Sequence, residues 1–405
     1  MSTSHMYHTQ GTAGFNLKGY DRSQGVEIAI MESSNPHPPC PKCNSSDVTV
    51  IHMRKTRDIH SLPIGLRKTV LRVPIRRIRC HACGSYAQEP LSFCPDRFSR
   101  HTKRLARYVL GLRAQMSITA VAHFSGLHWE TVKNIEKAWL EKKYRRIGLN
   151  DVEYLGIDEV YMGKVMGFVT IVRDLDSGAV LFIGKGKKGE ALRPFQNRLK
   201  RRAKYIKAVA IDMANSYSAW VREVLPHADI VYDHFHVIKL MNERMNALRR
   251  STMNKLEEEQ KMELKGKRFL LLKNEEDLSK DAAEELKKLR FEFKELGTVS
   301  FMKECLRNIY KLADSYELAR TAFMRWCEKA EVSAIHCLKQ MAKTIRKRME
   351  GLLAYWKHSK LTNASQEGFN NKIGWLTRQA YGYHDSVYLH LKIYDLPNIS
   401  TRKSL

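Results

Sequence analysis

The sequence predicts an α/β fold of several modules, and three observations carry that expectation. From residue 152 onward, short β-rich stretches and helical stretches follow one another in a fixed order: three strands, helix, strand, helix, strand. A long, charge-mixed helical stretch follows, over 238–356. Ahead of both lie two Cys-x-x-Cys pairs and a helix–turn–helix pattern. Three antiparallel strands, then helix, strand, helix and strand, is the order of a ribonuclease-H-like domain. The predicted class is therefore α/β: a ribonuclease-H-like core with a large helical insertion, preceded by a zinc ribbon and a helix–turn–helix domain.

Taken in order, residues 1–35 are polar, contain Gly and Ser and show little periodicity, so a flexible N-terminus is expected. Residues 36–95 form the zinc-ribbon domain, and 96–150 the helix–turn–helix domain with a basic linker, KKYRRIGLND, at 142–151. The first part of the catalytic core spans 151–237. Its meander is VEYLGIDEVY, GFVTIVRDL and AVLFIGK, the last two separated by the turn Asp176-Ser177-Gly178. A helix at 190–199, a strand at 205–212, a helix at 216–225 and a strand at 229–232 complete it. The insertion occupies 238–356, and the last part of the core, 357–405, carries a helix with Glu367.

Composition narrows the function. The chain has 405 residues, long enough for two or three domains, and 70 Lys+Arg against 43 Asp+Glu give a formal charge of +27. Such an excess favours a polyanionic partner. Basic runs at 76–79, 142–146, 198–204 and 346–348 are spread along the chain rather than gathered beside an apolar anchor, which favours nucleic acid over a membrane surface. No apolar run is long enough to span a bilayer, and the N-terminus lacks a signal-peptide core. A cytoplasmic, nucleoid-associated protein with no membrane partner is expected, and its eight cysteines are not read as a disulfide framework.

Cys40-Pro41-Lys42-Cys43 and Cys80-His81-Ala82-Cys83 supply four thiolates, the donor set of one tetrahedral, structural Zn²⁺. Gly84 follows the second pair, where the chain must turn tightly. The 36 residues between Cys43 and Cys80 are β-rich hairpin material, so the reading is a zinc ribbon with a long excursion. A redox pair is the competing reading, and His52, His60 and His81 are rival ligands without a spacing advantage. The strand RVPIRRIR would bring Arg76, Arg77 and Arg79 near DNA phosphate; an ordinary exposed basic edge strand competes with that.

In ITAVAHFSGLHWETVKNIEK, Ala122 permits a close helix approach and Gly126 supplies the left-handed turn, while Val132 and Ile135 face inward. The second helix would present His128, Glu130, Thr131, Lys133, Asn134 and Lys137 to a major groove. A plain helical pair is the alternative.

Asp158 in YLGIDE and Asp212 in VAIDMANSY each lie at the end of an apolar β stretch, and Glu367 lies early in a helix. In a ribonuclease-H-like sheet the first and fourth strands are neighbours, so the two aspartates face each other at one edge. Clustered carboxylates repel unless a cation is bound, and oxygen ligands suit Mg²⁺ or Mn²⁺. Two ions about 3.5–4 Å apart can serve phosphodiester displacement. Asn363 and Asn371, four residues either side of Glu367, share its helix face. Asp233 and His236, just past the fifth strand, are candidates for support at the site, whereas Glu159, Asp174 and Asp176 are read as solvated acids, and Tyr217 as packing or substrate contact.

Zinc ribbon, helix–turn–helix, GIDE, AIDM, YDHFHV and SQEGFNNKIGWLTRQAYGY, in that order, resemble the ISL3-family transposases of bacterial insertion sequences. The resemblance runs from about residue 36 to 396. It implies a ribonuclease-H-like DDE domain that cleaves and joins double-stranded DNA at inverted-repeat ends with divalent metal. Asp158, Asp212 and Glu367 match the family's triad, Cys40, Cys43, Cys80 and Cys83 match its zinc ligands, and the helix–turn–helix would recognise the element's end. Joining two ends to a target implies a homodimer or larger assembly on DNA. A domesticated DNA-binding regulator and a structure-selective nuclease on the same fold are the alternatives.

Overall fold

The computed structural model describes residues 2–397 apart from Gln24, Val165, Ala214 and Tyr381, and excludes the side chains of Ser23, His52, Met53, Arg54, Asn215, Ser216 and Ala364. Two compact units divide at Arg146 and Ile147.

The first unit opens with α1 (Thr3–Gln10), β1 (Phe15–Ser23) and β2 (Val26–Ser33). This corrects the expectation of a flexible N-terminus over residues 1–35. Apolar residues are sparse there, but Met6, Phe15, Ala29 and Met31 are buried with Ile59, Leu71, Val73 and Phe93 in one core. A few well-placed side chains suffice to order the segment, because the sheet supplies the rest of the apolar surface. β3 (Val48–Ile64) and β4 (Arg67–Cys80) form a long antiparallel hairpin closed at Gly65, whose φ of 60° suits the turn. The sheet order is β1-β2-β4-β3, with β2 parallel to β4, and β5 (Tyr86–Gln88) adds to β4.

Next come α2 (Lys103–Arg113), α3 (Ile118–Ser125) and α4 (Trp129–Lys143). Thr102 and Ser117 cap the first two by accepting from the N–H groups of Leu105 and Ala120, each over 3.1 Å. Gly126 ends α3 at φ 72°, the left-handed residue that the sharp turn needs. Leu105, Val109, Val121, Leu127, Val132 and Ile135 form the small core between the three helices, and Ala122 packs against it.

In the second unit, β6 (Tyr154–Tyr161), β7 (Phe168–Asp174) and β8 (Val180–Lys185) form the expected antiparallel meander. They are followed by α5 (Arg193–Leu199), β9 (Ala208–Ile211), α6 (Asn215–Val224) and β10 (Asp229–Tyr232). The sheet order is β10-β9-β6-β7-β8, with β9 parallel to both β6 and β10. The inserted segment holds α7 (His234–Met253), α8 (Glu258–Leu264), α9 (Arg268–Leu272), α10 (Lys280–Glu292), α11 (Lys294–Leu312), α12 (Tyr316–Val332), α13 (His336–Lys347) and α14 (Met349–Lys357). Trp326 packs inside it, its indole N–H donating to the Met302 carbonyl over 2.8 Å. The chain then returns to the sheet with α15 (Ala364–Gln379) and α16 (Ser386–Asp395).

Strand alternation explains the layering. Val172 of β7 points into the core made with α5 and α6 through Phe195, Leu199, Tyr217 and Trp220. Val169 and Ile171 point the other way, onto Phe369, Ile373 and Leu376 of α15 and Leu389 and Ile393 of α16. The sheet is thus covered on both faces, and the chain leaves β9 at Asp212 and β10 at Asp233, beside Asp158 of β6.

Candidate functional site

Register places the acids. Gly156 of β6 pairs with Ala210 of β9, and Asp158 and Asp212 each lie two residues beyond that rung. Tyr232 of β10 pairs with Ile211, so Asp233 and Asp212 each follow one rung. Three carboxylates therefore line up across neighbouring parallel strands at one edge. Asp158 Oδ1 accepts from the Glu159 N–H over 2.8 Å. Burial pushes the Asp158 carboxyl above its ordinary pKa and the charge of Asp212 adds to this, against the opposing pull of the Glu159 N–H, Asn370 and His236.

Glu159, read from sequence as a solvated acid, is half-buried on the other face of β6, toward Tyr217. Its pKa is raised by burial and by the charges of Asp212 and Asp158. Its Oε2 accepts from the Tyr217 hydroxyl over 3.2 Å, and that hydroxyl lies 3.0 Å from Thr170 Oγ1. Tyr217 is buried and packs, so of its two proposed roles the structure supports the first.

Asp233 caps α7, accepting from the Phe235 N–H over 3.2 Å, and its Oδ1 also accepts from Thr362 Oγ1 over 3.2 Å. Burial alone would raise its pKa, but His236, the Phe235 N–H and His234 outweigh burial and hold it below the usual range. His236 Nδ1 stands 3.8 Å from Asp233 Oδ2, longer than a hydrogen bond, so the attraction is one of charge. Burial would lower the His236 pKa, yet Asp233, Asp212 and Asp158 together raise it. His236 thus lies on the acidic edge, where the neighbouring carboxylates favour its protonated form.

Glu367 stands apart from these groups. It is exposed in the first turn of α15, and among the described residues its carboxylate does not join Asp158 and Asp212 in one tight cluster. The residue of α15 that reaches the edge is Asn370, one turn further on, whose Nδ2 donates to Asp158 Oδ2 over 2.7 Å. Asn363 and Asn371, at helical spacing around Glu367, have different surroundings. Asn363 is buried at the start of α15, its Nδ2 3.4 Å from the Ile157 carbonyl, and Asn371 is exposed. Helical spacing brought Asn363 and Asn371 to one face, but only tertiary packing shows which turn meets β6.

The knuckles converge as the spacing predicts. Val48 pairs with Cys80, so the hairpin leaves one Cys-x-x-Cys pair and returns to the other. Asn44 and Gly84, each directly after a pair, have φ of 61° and 66° and wrap the backbone around the sulfurs. Ligand atoms of Cys40, Cys43, Cys80 and Cys83 all lie within 4.8 Å of one another. The Cys40–Cys83 and Cys43–Cys80 sulfurs are 3.8 and 3.5 Å apart. A tetrahedron with Zn–S bonds of about 2.3 Å puts sulfurs about 3.8 Å apart, so one zinc ion fits. N–H groups of Cys43 and Lys42 and the Ser85 hydroxyl pull the Cys40 thiol down to about 6. Cys43 is pushed up to about 12: the Ser45 N–H lowers it, but the adjoining sulfurs of Cys80 and Cys83 outweigh that. A cation would relieve that crowding. His81 is turned to Thr49, 2.8 Å away, and the His52 side chain lies outside the described residues.

Among the basic candidates, Arg76 is a correction. It is buried, and its guanidinium donates to Glu89 Oε1 and Oε2, Ser33 Oγ and the Asn35 carbonyl, each over 2.6 Å. Alternation along β4 turns it inward and leaves Arg77 and Arg79 exposed. On α4, Asn134 is exposed and Thr131, Lys133 and Lys137 are half-buried, opposite the buried Val132, Ile135 and Leu140. Glu136, also buried, pairs with Arg113 over 2.7 Å and locks α4 to α2. Among the described residues no helix is long and apolar enough to cross a membrane.

Comparison with known proteins agrees with this arrangement. Residues 155–393 match a family model described as "Transposase" of the ISL3 type. Residues 36–83 match the "zinc-finger of transposase IS204/IS1001/IS1096/IS1165", and 96–140 the "Helix-turn-helix domain of transposase family ISL3". The chain is also 35% identical over 358 residues, 87% of each protein, to the "Transposase for insertion sequence element IS1001" of Bordetella parapertussis. The chain belongs to the ISL3 family of transposases.

This ISL3 transposase is also 27% identical over 308 residues to the "Transposase for insertion sequence element IS1557" of Mycobacterium tuberculosis, covering 70% of this chain and 69% of that one. Among solved structures, the Drosophila P element transposase strand transfer complex aligns with a TM-score of 0.43 at 10% identity, over 74% of this chain and 92% of that one. A likeness so distant adds nothing to the assignment. In the ISL3 frame the first unit holds the zinc-finger and helix–turn–helix segments, and the acidic edge falls within the transposase segment.

Proposed function

We propose that this chain cleaves the ends of its own insertion sequence and joins them to target DNA, with Asp158, Asp212 and Glu367 as the catalytic carboxylates. The observation that carries the reading is the register of Asp158 and Asp212 on neighbouring parallel strands, each two residues past the same rung, Asp158 inside β6 and Asp212 directly after β9, with burial and then the charge of Asp212 raising the Asp158 pKa. Two such carboxylates are donors for Mg²⁺ or Mn²⁺. Glu367 supplies the third from α15, whose first turns are tied to β6 and β7. Divalent cations held there would polarise the scissile phosphodiester and favour the ionised form of the attacking hydroxyl.

The remaining roles belong to side chains at the same edge. His236, beside Asp233 and the acidic pair, would present a positive charge to phosphate when protonated, a form that those carboxylates favour. Asp233 holds the start of α7 and, through Thr362, the approach to α15. Thr131, Lys133, Asn134 and Lys137 of α4 read the terminal repeat, and Arg77 and Arg79 contact its backbone phosphates. Joining two ends calls for at least a dimer on DNA.

The test is a cleavage and joining assay on labelled duplexes carrying the DNA that flanks the gene, with Mg²⁺, comparing wild type with Glu367→Gln. Metal-dependent nicks at the repeat boundary and joined products, both lost in the variant, are expected. Tight binding of the ends with no cleavage by either protein would leave a DNA-binding regulator. Cleavage of branched DNA without joining would leave a nuclease.

A further inference from the structure

Arg173 of β7 is buried, and among the described residues no carboxylate pairs with its guanidinium. Its guanidinium donates to the Gly178 carbonyl over 3.0 Å, to the Ser365 carbonyl over 3.0 Å and to Gln366 Oε1 over 3.3 Å, and it stacks 4.3 Å from the ring centre of Phe369. All but Gly178 belong to the first turns of α15. Gln366 is itself buried, and its Nε2 donates to Asn370 Oδ1 over 3.0 Å. Asn370 Nδ2 then donates to Asp158 Oδ2 over 2.7 Å. The four side chains form one unbroken line from β7 through α15 to β6.

The direction of this line is fixed at its far end. An arginine has only donors, so Gln366 must turn its oxygen toward it. The Gln366 amide then has only N–H groups left for Asn370, which must receive them on its oxygen. Asn370 in turn has only N–H groups left for Asp158. Each amide orientation is set by the one before it, and the last can satisfy Asp158 only as an acceptor.

We propose that Arg173, Gln366 and Asn370 are positioning residues, a polar relay that orients Asp158 for a divalent cation and holds the Glu367 turn of α15 against the sheet. The inference rests on the proposed catalytic role of Asp158. One lone-pair direction of Oδ2 is filled by Asn370 and one of Oδ1 by the Glu159 N–H, which fixes the carboxylate plane and leaves the other directions for metal. Groups of this kind, bonded to a ligand rather than to the ion, set metal affinity by orientation.

Two substitutions at one position separate this from mere packing. Gln366→Glu keeps an acceptor for Arg173 but has no donor for Asn370, so the Asn370 amide turns over and aims its oxygen at Asp158. Gln366→Met leaves Arg173 short of an acceptor but allows Asn370 to keep its N–H on Asp158. A relay makes the Glu variant the weaker metal binder and the Met variant the less stable protein. A packing role makes Met worse on both counts. The measurements are Mn²⁺ binding by the full chain, followed by the electron paramagnetic resonance of free Mn²⁺, and thermal melting.

For Gln366→Glu we expect Mn²⁺ affinity to fall about 10–100-fold with the melting temperature kept, and Asn370→Leu to weaken binding in the same way. Wild-type Mn²⁺ affinity in both Gln366→Glu and Asn370→Leu, or a greater loss of affinity in Gln366→Met than in Gln366→Glu, overturns the relay. Should Gln366→Glu fail to fold, Asn370→Leu decides. Asp158→Asn serves as the reference: if it binds Mn²⁺ and cleaves like wild type, the proposed catalytic role itself fails, whatever the relay variants do.

Discussion

Asn370 donates to Asp158 over 2.7 Å although 212 positions of chain separate them. The bond joins the first strand of the second unit to a helix reached only after the whole helical insertion. It brings SQEGFNN to GIDE, so that an amide from beyond the insertion meets the acidic edge.

If that edge holds catalytic metal, Asp212→Asn must cost most of the rate. The transition-state stabilisation supplied by such ions is several kcal/mol, so cleavage should fall by about a thousandfold or more. Binding of the repeat ends, measured by fluorescence anisotropy without metal, should stay close to wild type, because α4 and β4 lie outside the acidic edge. Equal loss of binding and cleavage would point to a folding defect instead.

Arg76 and its neighbours should separate cleanly. Arg76→Ala leaves Glu89 buried without its partner and should destabilise the first unit by about 3–5 kcal/mol. Arg77→Ala and Arg79→Ala should leave melting unchanged, weaken DNA binding evenly across sequences, and each reduce the salt slope by about one. Binding titrations across a salt series, alongside thermal melts, check both halves.

Zinc removal should act on the first unit alone. The knuckle core is small, with Cys40, Val48, Ile78 and Cys80 buried together, so little besides the ion can hold it. A strong chelator, or Cys80→Ser, should lower the calorimetric transition of the first unit and leave the second in place. A single unchanged melt after verified zinc loss would contradict a structural ion.

The first unit should also be sensitive to mild acid. His60 and His101 face each other across a β-bridge. Burial lowers both pKa values; Lys68 adds to this at His60 and His60 adds to it at His101, while Asp58 and Asp96 oppose. Because the folded values lie below the unfolded one, their contribution is full above about pH 6.5 and is lost as the pH falls through the folded values. Melting followed from about pH 8 to about pH 5 should show that decline in wild type and a shallower one in His101→Gln.

How much of this was legible in the chain depends on the range of the forces involved. Periodicity and turn residues are local, so the meander, the helical segments, Gly126 and the two knuckles could be read directly. Sequence by itself thus determined the order of modules, the convergence of the four knuckle cysteines and the inward face of α4. The tertiary structure alone decided the rest. It turned Arg76 inward and Arg77 outward, because the side-chain period of a strand shows two faces but not which one meets a core. It ordered residues 3–33, because four apolar side chains matter only once Ile59 and Leu71 stand opposite. It also half-buried Glu159 against Tyr217 and brought Asn370 to Asp158, since only docking of α15 on the sheet fixes which helical turn meets which strand. Those outcomes depend on burial and charge between residues far apart in the chain, which no local pattern encodes.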